Sequence, residues 1–144
     1  MRVAGKDRTT LDPLLAALRE RLPEGPFLYA PEDVTDATIR QLGAELIREA
    51  VLDILEQEVP HATAVTIESW TDSATKTEVH ATLHVERPSQ KKIVVGEGGQ
   101  TVGRIRRAAE ARLRAAFGPL RLSLWVKVSR DWRKNGARVR EFLA

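Results

Sequence analysis

Residues 90–107 read QKKIVVGEGGQTVGRIRR and place a glycine loop, Gly96-Glu97-Gly98-Gly99, ahead of a long helical pattern. Glycines adopt positive φ angles readily and let another backbone approach closely, because no Cβ obstructs it. The positive end of a helix beginning near Gln100 would favour a phosphate at the loop. A G-x-x-G loop alone is a weak signal, but the apolar run before it and the arginine-rich helix after it indicate nucleic-acid contact.

The pattern on both sides of the loop predicts an α+β fold in which three strands share one open face and helices cover the other. The predicted elements are helices over 10–22 and 36–58, strands near 63–70 and 79–85, a helix over 100–117, a strand over 120–127 and a short helix near 137–143. Thr35 or Asp36 is the expected N-cap of the second helix. The first two strands alternate as an antiparallel hairpin does. Residues 90–95 fit a strand or a helix equally well.

Composition narrows the class of protein. The chain has 144 residues, no cysteine, and no apolar run that approaches a membrane span. Disulfides, thiolate metal sites and cysteine nucleophiles are therefore excluded, and we expect a cytoplasmic protein. No catalytic constellation is visible, and His80 and His84 stand too far apart on one strand to share a metal ion. We predict no catalytic residue, metal or cofactor.

Charge is unevenly distributed along the chain. Residues 31–86 carry three basic and twelve acidic residues, whereas residues 87–144 carry fifteen basic and four acidic ones. This separation indicates a surface for a polyanion. Mutual neutralisation of the two halves across the fold is the alternative, and both can hold together.

Individual side chains near the loop divide between binding and packing. We predict phosphate contacts for Lys91, Lys92, Arg104 and Arg107. Most of the neighbouring apolar side chains, and any single one of them by preference, should belong to the core, but one or two can line a groove, and we select Ile93 and Val94 for it; the set is Ile93, Val94, Val95, Val102 and Ile105. The predicted RNA-contacting set is Lys91, Lys92, Ile93, Val94, Gly96, Glu97, Gly98, Gly99, Arg104 and Arg107.

Other basic and aromatic side chains are open to two interpretations. Arg106, Arg112 and Arg114 fit a solvated helix face as well as RNA contact. Trp125 points outward by alternation, as a base-stacking platform would, but we favour its packing against the C-terminal tail that carries Trp132. For Trp70 we likewise expect packing.

Several ordered segments resemble the C-terminal KH region of the Era GTPases. They are residues 86–99, residues 124–128 with 131–133, residues 35–36, residues 45–49, and residues 22–26 with 29–31. The resemblance implies a type II KH domain that binds single-stranded RNA, namely the 3′ end of small-subunit ribosomal RNA, in assembly of the ribosomal small subunit. It places Gly96–Gly99 at the RNA backbone. It also implies a cytoplasmic protein with peripheral association at the inner membrane; no DNA contact is expected.

The sequence departs from that family in two respects. Glu97 stands where the family often has a basic residue, and no G-x-x-x-x-G-K-[ST] phosphate loop occurs. We therefore expect no GTPase activity from this chain. The expected organisation is a remnant of a GTPase domain plus linker over 1–30, a KH domain over 31–130 and a basic tail over 131–144. The alternative is a regulatory fragment whose helix at 10–22 or 36–58 docks on a GTPase domain or a ribosomal partner.

Overall fold

The chain divides into two units, Met1–Asp36 and Ala37–Ala144. The computed structural model describes residues 3–5, 7–26, 35, 37–55, 59 and 62–143. The predicted N-cap Asp36 and the predicted linker at 27–33 lie outside the described residues. Within these residues, no helix is long and apolar enough to cross a membrane.

The first unit contains one helix, α1 (Leu11–Arg19), after a 3-10 turn at Arg8–Thr10. It ends three residues earlier than predicted. No residue of α1 is buried, and Leu15 and Leu18 are each 49% exposed. Nothing described within this unit covers the leucine face of the helix.

The second unit follows the predicted order of elements. They are α2 (Ile39–Ile54), β1 (Thr63–Asp72), β2 (Thr77–Val85), α3 (Pro88–Val95), α4 (Gln100–Phe117), β3 (Leu120–Val128) and α5 (Gly136–Leu143). β2 is the central strand, antiparallel to β1 and parallel to β3. Parallel pairing requires a long crossover, and the chain supplies it with α3 and α4. The α+β prediction, the hairpin and the three-stranded sheet are confirmed.

Helix α2 begins later than a cap at Thr35 or Asp36 would place it. Thr38 is its N-cap, because its hydroxyl accepts from the Gln41 N–H at 3.2 Å while the Gln41 side chain accepts from the Thr38 N–H at 2.6 Å. This reciprocal pair fixes the first turn, so Thr35 is not the cap. Ile39 and Leu42, in this first turn, are exposed, whereas the buried residues of α2 begin at Gly43.

One core lies between the sheet and helices α2, α3 and α4. Its fully buried large side chains come from every layer: Ile47, Val51, Val79, Leu83, Val85, Val94, Ile105, Leu113 and Leu122. Ala116, expected on the inner face of α4, is exposed at the end of that helix. Trp70 packs edge-on against Phe117, with ring centroids 5.2 Å apart, which confirms packing for this tryptophan.

The second face of the sheet is less open than the alternation predicts. Thr82 and His84 point away from the helices, yet they are only 8% and 4% exposed. The His84 ring nitrogens lie 2.9 Å from the Thr66 hydroxyl and 2.9 Å from the Ser129 hydroxyl. Because Ser129 belongs to the segment after β3, only the tertiary fold supplies this partner.

Candidate nucleic-acid interface

The glycine loop joins α3 to α4 through three residues with positive φ. Gly96, Gly98 and Gly99 have φ angles of 72°, 56° and 81°. Gly96 ends α3 by donating its N–H to the Lys92 carbonyl at 2.9 Å, and the Gly99 N–H donates back to the Gly96 carbonyl at 3.3 Å. The loop is thus a tight 3-10 turn that leads directly into α4.

The three glycines meet different surroundings. A Cβ on Gly96 would lie 2.8 Å from the Thr101 Cβ and 2.9 Å from the Thr101 backbone nitrogen, so no other residue fits there. A Cβ on Gly98 or Gly99 would meet nothing within 4 Å. These two glycines present bare backbone at an open surface, which a phosphate backbone can approach.

Helix α3 is held at its start by residues on both sides of it. Pro88 occupies the first turn, where a missing N–H has no cost. The Gln90 side chain accepts from the N–H groups of Glu86 and Arg87, each at 2.9 Å. The hydrogen bond and ion pair from Arg133 lower the pKa of the Glu86 carboxyl below its ordinary value. These contacts fix the direction in which α3 presents the loop.

The four predicted phosphate-binding cations lie on exposed surface around the loop. Lys91, Lys92, Arg104 and Arg107 are all exposed. None of the four forms an ion pair within the part of the chain that the structure describes. The Arg107 guanidinium lies along Gly103, where a Cβ would be 3.6 Å from its Nη1. These charges are therefore available to a polyanion.

The other arginines of α4 are engaged within the fold. Glu110 binds Arg106 at 3.0 Å and Arg114 at 2.8 Å, and it also accepts from the Leu122 N–H at 3.1 Å. Arg112 pairs with Glu49, at 3.3 Å, and with Asp53. These contacts favour a structural role, because Glu110 links α4 to β3 and Arg112 links α4 to α2.

Apolar side chains beside the loop divide between groove and core. Ile93 is 54% exposed, whereas Val94 is fully buried in the core. The prediction that Val94 contacts bases is wrong, because the helical turn of α3 directs it toward the sheet. Val95, Val102, Leu124 and Val126 are half-buried. Of these, Leu124 and Val126 pack against the core, and α3 and α4 both contact β3.

Trp125 lies on the outward face of β3 and is 69% exposed. The expected cover by the C-terminal tail is absent among the described residues. Trp132 is instead buried, at 3% exposure, in the turn that follows β3. The alternation of β3 correctly placed Trp125 outward, but only the path of the tail decides whether it is covered.

A concavity of about 1050 Å³ lies away from the glycine loop, and sequence reasoning missed it. Its walls come from the start of α2, residues 65–68 of β1, His84, residues 127–130 and Arg138 of α5. None of its described lining residues belongs to α3, the glycine loop or α4. The sequence signal that could have indicated this surface is the regular recurrence of basic residues between Lys127 and Arg138.

No group of three or more His, Asp or Glu side chains among the described residues could hold a metal ion. The second unit presents a bare glycine turn, four exposed cations in the adjoining helices and the exposed side chain of Ile93.

Comparison with known families matches residues 58–133 to the family described as KH domain. The chain is 41% identical over 142 residues to the GTPase Era of Heliobacterium modesticaldum, covering 97% of this chain and 48% of that protein. It is 40% identical over 133 residues to the GTPase Era of Crocosphaera subtropica, covering 92% and 42%. The chain therefore spans about half the length of the curated relatives it matches.

Solved structures agree with the fold. An Aquifex aeolicus Era variant bound to GDP and AlF4⁻ superimposes with a TM-score of 0.86 at 34% identity, covering 92% of this chain and 45% of that one. Era in complex with MgGDPNP and nucleotides 1506–1542 of 16S ribosomal RNA superimposes with a TM-score of 0.87, also at 34% identity and with the same coverage.

Proposed function

The chain belongs to the KH domain family, and from this premise we propose that it binds single-stranded RNA through the Gly96–Gly99 loop and the adjoining groove. KH domains hold about four nucleotides of backbone at such a loop. The observation that carries the proposal is the open, positive-φ turn at Gly98 and Gly99 beside four exposed cations.

Lys91, Lys92, Arg104 and Arg107 would contact phosphates, and Ile93 would contact a base. Gly96 maintains the turn, Gly98 and Gly99 admit the backbone, and Glu97 limits affinity as an acidic side chain in the loop. Val94 has a structural role in this proposal, because it is fully buried.

The RNA we propose is the 3′ end of small-subunit ribosomal RNA, and the process is assembly of the ribosomal small subunit. The similarity to an Era structure determined with nucleotides 1506–1542 of 16S ribosomal RNA supports this choice. We further propose that residues 1–30 are the end of a GTPase domain with its linker, that residues 31–130 form the KH domain, and that residues 131–144 form a basic tail. We expect no GTP hydrolysis by this chain and a cytoplasmic location.

The double variant Gly98→Asp, Gly99→Asp tests the loop. Each aspartate adds a charge that repels phosphate by about 1 kcal/mol at 4 Å in water, so affinity should fall about thirtyfold. Fluorescence anisotropy with a labelled ten-nucleotide single strand from the small-subunit 3′ end measures it at low salt.

The control for this variant is Gly98→Asn, Gly99→Asn, which changes the backbone in the same way without adding charge. Asp and Asn tolerate left-handed φ better than other residues with a side chain, and both would project into open space, so circular dichroism should show the same folded spectrum for the two variants. Equal binding by the wild type and the aspartate variant would exclude the loop as the RNA contact.

A protein-docking role is the second candidate function, because α1 exposes Leu15 and Leu18. Exposed leucines on one helix face favour association with another apolar surface. Sedimentation velocity on the free chain tests this role: self-association that Leu15→Glu, Leu18→Glu abolishes supports it, and a strictly monomeric wild type contradicts it.

A further inference from the structure

The concavity between α2, β1, β3 and α5 carries an excess of positive charge. Five cationic residues line it, Arg40, Arg48, Lys127, Arg130 and Arg138, against two carboxylates, Glu45 and Glu68. Arg48 and Glu45 pair with each other at 2.8 Å. Arg40, Arg130 and Arg138 form no ion pair within the described residues, so their charge is available to an anion.

The remaining carboxylate, Glu68, is exposed and is kept ionised by its neighbours, so it offsets one of the cationic charges. The Thr66 hydroxyl donates to Glu68 at 2.8 Å, and this hydrogen bond is the main reason that the pKa of Glu68 is lowered, with further contributions from Thr82, His84 and Lys127. Because that hydroxyl has only one hydrogen, it accepts from His84 Nε2 at 2.9 Å. Glu68, Thr66 and His84 therefore form one hydrogen-bonded network within the lining of the concavity. The cations Arg40, Lys127, Arg130 and Arg138 belong to the same lining.

Trp125 lies close to Lys127, one of the cations that line the concavity. It lies two residues before Lys127 on the same face of β3, so their Cα atoms are about 7 Å apart. Its indole is 69% exposed. An exposed aromatic ring beside a cationic groove is the combination that single-stranded nucleic acids use, with bases stacked on the ring and phosphates on the cations. The volume, about 1050 Å³, exceeds what a single inorganic anion fills.

We propose that this concavity, together with Trp125, is a second contact for single-stranded RNA. Arg40, Arg130 and Arg138 bind backbone phosphates there, and Trp125 stacks on a base. The inference rests on the proposed function and extends it, because a strand that reaches both the glycine loop and this surface is longer than the four or so nucleotides that the loop holds.

The test compares two RNAs on the whole chain: a four-nucleotide strand, which fits the loop alone, and a twelve-nucleotide strand. Trp125→Ala should weaken the twelve-nucleotide strand about tenfold, since stacking contributes about 1–3 kcal/mol per base. Arg130→Gln, Arg138→Gln should weaken it and flatten its salt dependence by about 1.4 in the log–log slope. Affinity for the four-nucleotide strand should be unchanged in both variants.

The matched control is Lys76→Gln, which removes a cation at the opposite end of the sheet, where Lys76 pairs with Glu78 at 2.7 Å. It should leave both RNAs unaffected. Quenching of tryptophan fluorescence by the longer strand, lost in Trp125→Ala, provides a second readout.

Two results would overturn the second contact while leaving the loop in place. One is unchanged twelve-nucleotide binding in the variants, which would exclude Trp125, Arg130 and Arg138 as RNA contacts. The other is equal weakening of both RNAs. A wild type that binds neither RNA would instead overturn the proposed function itself.

Discussion

At the residue scale, the loop glycines are required for different physical reasons. Gly96 is fixed by steric exclusion, because Thr101 occupies the space of a side chain. Gly98 and Gly99 have open space around them and are needed for positive φ and for a bare surface. The sequence motif alone does not separate these roles, since the Thr101 contact forms only when α4 follows the turn.

Glu97→Lys should tighten RNA binding. The substitution replaces a negative charge in the loop by a positive one, which we expect to raise affinity about tenfold if the side chain lies near a phosphate. Anisotropy at low salt measures the change, with Glu97→Gln as an intermediate. Unchanged affinity in both variants would mean that this side chain points away from the RNA.

Glu86→Gln should make the free energy of unfolding less dependent on pH in the acidic range. Its partner Arg133 lowers the pKa of Glu86 in the folded state, so the native protein binds fewer protons than the unfolded chain as pH falls below the ordinary value of 4.5. The contribution is fully present above that pH and is lost as pH falls through the folded pKa. We expect the variant to be less stable by about 1 kcal/mol at pH 7.

Urea denaturation at pH 7 and at pH 3 measures this difference, which should shrink at the lower pH. Glu97→Gln, which removes an exposed carboxylate without an ion pair among the described residues, should show no such gap. A gap of constant size at both pH values would contradict the assignment.

At the element scale, the long helices and the alternating strands could be predicted because their periodicity is local. α4 and β3 appear within one residue of the predicted bounds. The short run at 90–95 could not be assigned, since six residues show too little periodicity. The Gln90 side chain and Pro88 decide it as helix α3.

Gly43→Ala should lower the free energy of unfolding, although helix propensity alone predicts that alanine would raise it. A Cβ at Gly43 would lie 2.8 Å from the Trp70 ring, and overpacking of this kind costs about 1–3 kcal/mol, more than the gain of about 1 kcal/mol from replacing a helical glycine. Gly103→Ala is the matched control on α4. Its Cβ would meet only the mobile end of Arg107 at 3.6 Å, so it should stabilise by about 0.5–1 kcal/mol.

Chemical denaturation measures both glycine variants. Stabilisation of similar size in the two would show that Trp70 can move aside, and that Gly43 is not required for its packing.

At the scale of the whole molecule, the uneven charge has two interpretations, neutralisation within the fold and a surface for a polyanion. They apply to different parts of the domain. Acidic residues of α2 neutralise Arg112 across the helix pair. Lys91, Lys92, Arg104 and Arg107 near the glycine loop form no ion pair among the described side chains. The same holds for Arg40, Arg130 and Arg138 in the concavity by α5. The separation of charge thus serves folding in one part of the domain and leaves two cationic surfaces elsewhere.

Arg107→Gln should reduce the salt dependence of RNA binding. Four phosphate contacts at the loop give a log–log slope of about −3 for a four-nucleotide strand, and each contact removed lowers it by about 0.7. Anisotropy between 50 and 200 mM salt, roughly the range over which counterion release is measured, gives the slope. The control is Arg112→Gln on the same helix, which should leave the slope unchanged because Arg112 is paired with Glu49 and Asp53. Equal slopes for the wild type and both variants would exclude Arg107 as a phosphate contact.

The sequence by itself determined the elements, their order and the chemistry of the glycine loop, because helix periodicity, strand alternation and glycine conformation depend on neighbouring residues. The tertiary structure alone decided that Ile93 faces outward while Val94 is buried, that Trp125 is uncovered, and that α2, β1, β3 and α5 enclose a cationic concavity. These properties depend on side chains distant in sequence that meet only when the sheet and helices pack, so no local pattern encodes them.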